Sequence, residues 1–142
     1  MRHAISRAFT LLEILIVVVI LGILAAMVVP QFASATGEAQ QVATLDQLKK
    51  VRSALAIYYL QNSSRYPQVT AGEGTWGELI SLSYLREAPV NTWIGTGNSK
   101  VIALGAAADG AFQTDHAWVY HAPTGNVWAG SFNSVDEPFV RP

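Results

Sequence analysis

Two patterns of apolar positions divide the chain. From Phe9 to Val29 the residues are apolar all round, a 21-residue run interrupted by one ionisable side chain, Glu13. At ~1.5 Å of rise per helical residue this run crosses a ~30 Å hydrocarbon layer, which predicts a membrane-spanning helix over residues 9–30. Beyond it the pattern becomes periodic. Val42, Leu45, Leu48, Val51, Leu55 and Tyr58 recur at spacings of three and four, while Glu38, Gln40, Gln41, Gln47, Lys49, Lys50 and Arg52 fall largely elsewhere around the axis. The first helix is therefore expected to continue to about residue 61 with one stripe facing a core. Pro30 has no N–H and clashes with the preceding turn, so a kink or looser turn is expected there. Gly22 weakens the same stretch, and Gly37 is a second weak point.

The remainder reads as short elements. Turn formers and Pro67 end the helix after Gln61, and residues 70–74 extend the irregular region. Trp76, Leu79, Ile80 and residues 82–85 predict a short helix that stops before Pro89. Three strands come next at 100–104, 117–121 and 126–132, the last two joined by a Pro123-Thr124-Gly125 turn. Trp118 and Tyr120 share one face of the second strand, and Val127 and Ala129 share one face of the third. The expected fold class is α+β: a long N-terminal helix, half membrane-spanning and half amphipathic, packed on a small C-terminal antiparallel sheet. The Asp136–Pro142 ending, with its two prolines, reads as a surface tail.

Charge orients the span. Arg2, His3 and Arg7 precede it and no acid does, so the positive-inside rule keeps this end cytoplasmic and exports the rest of the chain. An ordinary secretory signal is a poor fit. Its apolar core is shorter, and Ala25-Ala26-Met27 is a weak small-x-small cleavage site. Glu13 is the anomaly: an acid four residues into an apolar helix costs on the order of 3 kcal/mol in lipid, which calls for a partner or a role.

Ala8-Phe9-Thr10-Leu11-Leu12-Glu13, after a short basic leader and before an apolar helix with Pro30 near its end, resembles the prepilin signal of type IV pilins and type II secretion pseudopilins. Ala8 stands where that family usually has Gly. The resemblance implies that a prepilin peptidase cuts between Ala8 and Phe9 and methylates the new Phe9 amine. It divides the chain into a leader (1–8), a transmembrane and assembly helix (9–30) and an exported pilin-like domain (31–142) that includes the helix's second half. It further implies a homo-oligomeric filament in which Glu13 of an arriving subunit neutralises the Phe9 amine of the previous one, and in which the Gly22 to Pro30 stretch can partly melt. The implied partners are membrane lipid before assembly and an inner-membrane assembly platform with its ATPase. The implied location is a single pass of the cytoplasmic membrane, then a periplasmic or extracellular filament. Tyr84-Leu85-Arg86-Glu87-Ala88-Pro89-Val90-Asn91-Thr92-Trp93 is similar to a pseudopilin connector, with Thr92 replacing its second proline.

Composition narrows the alternatives. After the span about 110 residues remain, enough for one small core. Nine basic residues stand against ten acidic; without Arg2 and Arg7 the count is seven against ten, net −3, so no direct nucleic-acid binding is expected. Cysteine is absent, which leaves no disulfide and, given the resemblance, favours pseudopilins or disulfide-free pilins. His116 and His121 are five apart in a strand reading and so face opposite ways, which argues against a metal pair or acid–base site. No Gly-x-Ser-x-Gly elbow or phosphate-binding glycine loop occurs. Asp109, Asp115, Asp136 and Glu137 read as solvated loop acids, and Trp76 and Trp93 as core plugs. No enzyme activity, cofactor or metal is expected. The rival reading is a membrane-anchored binding module or enzyme that uses the helix only as a tether.

Overall fold

The computed structural model describes residues 9–142, and the side chains of all of these but 29–34. Helix α1 runs from Leu11 to Gln61, 51 residues. It passes through Gly22, Pro30 and Gly37 without a break in its assignment. The described residues separate into two compact units, one up to Gly37 and one from Glu38 to Pro142, so α1 contributes to both.

In the first unit the helix is apolar and uncovered. Within Leu11–Val28 the mean hydropathy is 3.1 and none of the window is buried.

The second unit is built on residues 38–61 of α1. Strand β1 is Gly72–Glu73, a single turn of helix α2 is Glu78–Ser81, and β2 (Val101–Leu104), β3 (Trp118–His121) and β4 (Asn126–Ala129) complete the set. The strands form a four-stranded sheet in the order β1-β2-β3-β4. Its pairing is mixed, which corrects the antiparallel expectation. β1 and β2 are antiparallel, β2 and β3 are parallel with Ile102 opposite Trp118, and β3 and β4 are antiparallel with Trp118 opposite Ala129. The cause lies in the connections. Pro123-Thr124-Gly125 returns the chain directly from β3 to β4, but 13 residues separate Leu104 from Trp118. A connection of that length can carry the chain back to the starting end of the sheet, and parallel pairing results.

The amphipathic stripe packs as its spacing predicts, with one change. Leu48, Val51, Leu55 and Tyr58 are buried against Trp76, Trp118, Tyr120 and Phe132. Val42, counted with the stripe, is 66% exposed, and the fully buried Thr44 takes the core-facing position near that end. Trp76 meets Trp118 and Tyr120 edge to face, with centroids 6.4 and 6.2 Å apart. Trp76 is thus the core plug expected of it. Gly130 is demanded by sterics, since a Cβ there would lie 2.1 Å from the His116 carbonyl oxygen.

Thr44 faces inward because of Asn91, which is fully buried. The Asn91 amide donates to the carbonyls of Ala117 (3.0 Å) and Gly130 (2.9 Å). Its oxygen accepts from Thr44 Oγ1 (3.2 Å) and from the Trp93 N–H (2.9 Å). All four hydrogen-bonding positions of the side chain are therefore used. One residue joins α1, the 91–93 connector, and the residues flanking β3 and β4.

Arg65 and Glu78 clamp the other end of the helix. Glu78 accepts from the Tyr58 hydroxyl (2.7 Å), the Gln68 N–H (3.0 Å) and Arg65 (3.1 Å). Led by the Tyr58 bond, these contacts hold its carboxyl down at about 2.

The 136–142 ending is docked rather than loose. Phe139 N–H donates to Ser131 O (2.9 Å), and Trp93 Nε1 donates to Phe139 O (3.2 Å). Arg141 lies 4.3 Å over the Trp93 ring and donates to Gln40 Oε1 (2.6 Å). Trp93 is accordingly half-covered rather than a deep plug, with one edge on Phe132.

These polar centres set two expected outcomes. Asn91→Ala strands several buried groups at about 1–3 kcal/mol each, so thermal melting of the detergent-solubilised chain should shift down by roughly 10 °C or more. The ionised form of Glu78 stabilises the fold above its unfolded pKa near 4.5, and that contribution disappears as pH falls toward about 2. Glu78→Gln should therefore flatten the acid limb of the melting temperature between those values; an unchanged acid limb would show that other carboxylates set it.

Candidate functional site

The N-terminal end of α1 is built by local chemistry. Thr10 precedes the first helical residue, and its hydroxyl accepts from the Glu13 N–H at 3.2 Å. Its carbonyl accepts from the N–H groups of Glu13 (3.1 Å) and Ile14 (3.3 Å). Thr10 is thus the N-cap and Glu13 the third helical residue, the spacing of a capping box, in which a hydroxyl satisfies an N–H that the first turn would otherwise leave unpaired. An acid in the first turn also faces the positive end of the helix dipole. The side chain of Glu13 is exposed and has no partner among the described residues. Thr10 is a capping residue that the apolar pattern alone does not single out, although Thr-x-x-Glu ahead of an apolar run is a legible signal.

Around this turn the surface is apolar. Phe9 is 76% exposed, and Leu11, Leu12, Ile14 and Leu15 are each more than half exposed. Phe9, Ile14 and Val18 border an open apolar groove of about 510 Å³. An open acid within an apolar, uncovered first turn suits association with something apolar that brings a cation. Ala8, the other side of the expected processing point, lies outside the described residues, as do Arg2, His3 and Arg7. Gly22 lies within α1, and a Cβ there would touch nothing within 4 Å, so packing inside this chain does not require glycine.

The titratable groups of the second unit serve structure. Asp109 accepts from the Ser131 N–H (2.7 Å), from Gln113 Nε2 (2.7 Å) and from His116 Nε2 (3.0 Å). Burial pushes the Asp109 carboxyl up, but these donors, His116 foremost, outweigh it and hold the group below its usual value. This hub ties the long β2–β3 connection to the end of β4. Asp136 is gripped by both Arg52 nitrogens, at 2.6 and 2.9 Å. Asp109 and Asp136 are therefore bonded anchors, which corrects their reading as solvated loop acids. Burial makes the difference for Asp109, and for Asp136 it is the reach of Arg52 across 84 residues of sequence. His121 binds Thr124 (2.8 Å), in the turn after β3. Among the described residues no three His, Cys, Asp or Glu side chains gather as a metal site.

Comparison with known proteins places the chain. A family model described as the prokaryotic N-terminal methylation motif matches residues 4–29. The type II secretion system core protein G of Pseudomonas aeruginosa is 35% identical over 106 residues, covering 66% of this chain and 72% of that protein. The type IV narrow pilus major component PilA5 of Thermus thermophilus is 33% identical over 104 residues, covering 73% and 83%. The core protein G of Klebsiella michiganensis is 43% identical over 72 residues, and there the match covers 51% of this chain and only 50% of the relative. The chain thus spans about half the length of several relatives it matches. No solved structure matches it. With the methylation motif at its start and relatives of both kinds aligned over most of their length, the chain belongs to the family of type IV pilins and type II secretion pseudopilins.

Proposed function

We propose that the chain is a structural subunit of a type IV pilus-like or pseudopilus filament, polymerised through α1. The observation that carries this reading is the combination on one helix end: a Thr10-capped first turn, a Glu13 side chain with no partner among the described residues, and an apolar surface from Leu11 to Val28 that no described residue buries. As a precursor the chain spans the cytoplasmic membrane with residues 1–8 inside and the second unit exported. A prepilin peptidase removes residues 1–8 and methylates the amine of Phe9. An assembly platform with its ATPase then lifts the subunit from lipid.

Physical chemistry gives Glu13 its role. Cleavage before Phe9 creates an ammonium at the membrane surface and makes Glu13 the fifth residue of the mature chain. A carboxylate and an ammonium leaving water together cost far less than either alone, and removing one partner of such a buried pair costs about 3–5 kcal/mol. The Glu13 carboxylate of one subunit neutralising the Phe9 amine of its neighbour makes that pair between copies, so each subunit added supplies one charge and consumes one. Thr10 holds the backbone of Glu13 in the first helical turn, close to that amine.

Mass analysis of the mature chain should place its start at Phe9 and find it one methyl group heavier than the unmodified sequence; any other start removes the basis for the Glu13 pairing. Glu13→Ala should be cleaved normally, yet filament yield should fall by at least about 100-fold, the factor that 3 kcal/mol represents. Filaments at the normal level from this variant would overturn the pairing.

A further inference from the structure

The second unit has a groove and a knob beside different flanks of α1. Lys50, Ala54 and Ile57, at i, i+4 and i+7, share one flank of the helix. With Leu85 and Arg86 they line an open groove of about 420 Å³, and Lys49 stands at its rim. Leu85 is buried at its floor, and Ile57 is 48% exposed. Lys50 is paired with Asp46 at 2.7 Å. Lys49 and Arg86 are exposed and make no hydrogen bond or ion pair among the described residues. Glu87, beside Arg86, borders an adjoining hollow of about 360 Å³ and disfavours an acid on that side. The groove is an apolar floor with two unsatisfied cations.

Arg52 lies two residues from Lys50, about 200° around the helix axis. From that flank it holds the 133–137 loop through Asp136 and also donates to the Val127 carbonyl of β4 (3.0 Å). The loop is further fixed by Asn133, whose Oδ1 accepts from the N–H groups of Val135 (3.0 Å) and Glu137 (2.9 Å). Within this turn Val135 is 69% exposed, and Glu137 is exposed, its carboxylate bonded among the described residues to Asn133 Nδ2 alone (3.0 Å). An apolar side chain and an acid are thus presented together on a loop whose shape is already set, which lowers the ordering cost of docking.

We propose that the groove lined by Lys49, Ile57, Leu85 and Arg86 is the docking site for the Val135–Glu137 loop of a second copy of this chain. Val135 meets the apolar floor and Glu137 meets Lys49 and Arg86. Groove and loop are separate surfaces of one chain, so the contact is heterologous: each copy offers its loop to the next and keeps its own groove free for another. Heterologous contacts that do not close into a ring propagate as open helical assemblies. The rim charges supply register and choice of partner rather than most of the affinity. This inference rests on the filament reading and adds the contact that sets how exported units join.

The natural chain has no cysteine, which allows a direct test. The full-length chain carrying both Arg86→Cys and Glu137→Cys, expressed in membranes with its assembly machinery and oxidised, should give a ladder of dimers, trimers and higher species. Each single variant alone should stay monomeric. Arg86→Glu, whose side chain anchors nothing in its own fold, should keep its melting temperature and lose filament yield by about tenfold, and adding Glu137→Arg should restore most of it. Wild-type filaments with no ladder from the double variant would overturn the docking and leave the filament reading standing. Efficient dimers from a single variant would mean a two-fold contact and would overturn it as well. Failure of the wild-type chain to form filaments at all would remove both.

Discussion

An apolar helix that no described residue covers sets the terms for this molecule. Every large apolar side chain described between Leu11 and Val28 is at least 45% exposed. Burying such a side chain fully is worth about 1.5–3 kcal/mol, so leaving this surface in water would cost on the order of tens of kcal/mol. The helix must lie in lipid or against other helices. Those two environments are almost equally apolar, and the hydrophobic effect hardly distinguishes them. What does distinguish them is polar: in lipid an ionised carboxylate is a burden, whereas a neighbouring subunit can bring a cation. Under the proposed pairing, the one acid in the span carries a choice that about 20 apolar residues cannot make.

The second unit meets a different constraint. It has no disulfide, and its core must be held by packing and by polar groups that are fully paired. Asn91 joins the helix to the sheet, Glu78 gathers Tyr58, Arg65 and the Gln68 backbone, and Asp109 ties the long β2–β3 connection to Ser131. Each sits where chain segments far apart in sequence meet. A buried polar group is favourable only when satisfied, and these three centres are satisfied. The indole N–H of Trp76 is the buried side-chain group left without a partner among the described residues.

How legible each part is depends on how local its cause is. The apolar span, the amphipathic stripe around Leu48, Val51, Leu55 and Tyr58, and the β3–β4 turn arise from neighbours in sequence, and they appear where the pattern puts them. The parallel pairing of β2 with β3 is not legible, because residues 105–117 carry no helix or repeat that marks a crossover. Val42 and Thr44 exchange roles because a buried asparagine 47 residues away from Thr44 offers it a partner, and helical spacing contains no trace of that. Asp136 has the sequence surroundings of a solvent acid, and only the fold brings Arg52 beside it. Thr10 differs from these, since its capping role is written in four consecutive residues; the cost of Glu13 in lipid overshadows the simpler bond made by its backbone.

The distribution of helix-weakening residues along α1 adds a last constraint. Gly22, Pro30 and Gly37 all fall before residue 38, and from Glu38 to Gln61 there is neither glycine nor proline. Glycine costs a helix interior about 1 kcal/mol relative to alanine and proline about 3 kcal/mol, so any unwinding is directed to the first unit and away from the part that carries the core. Pro30 leaves the Ala26 carbonyl without its helical donor. In hydrocarbon a freed backbone group finds no water, which keeps the segment helical while it spans lipid. Once the same segment is enclosed by other subunits, their side chains and trapped water can satisfy those groups. On the proposed filament reading, a helix weak in this one stretch can be regular before assembly and adjust its length within a filament, while the 38–61 segment, free of glycine and proline, stays with the core of the second unit.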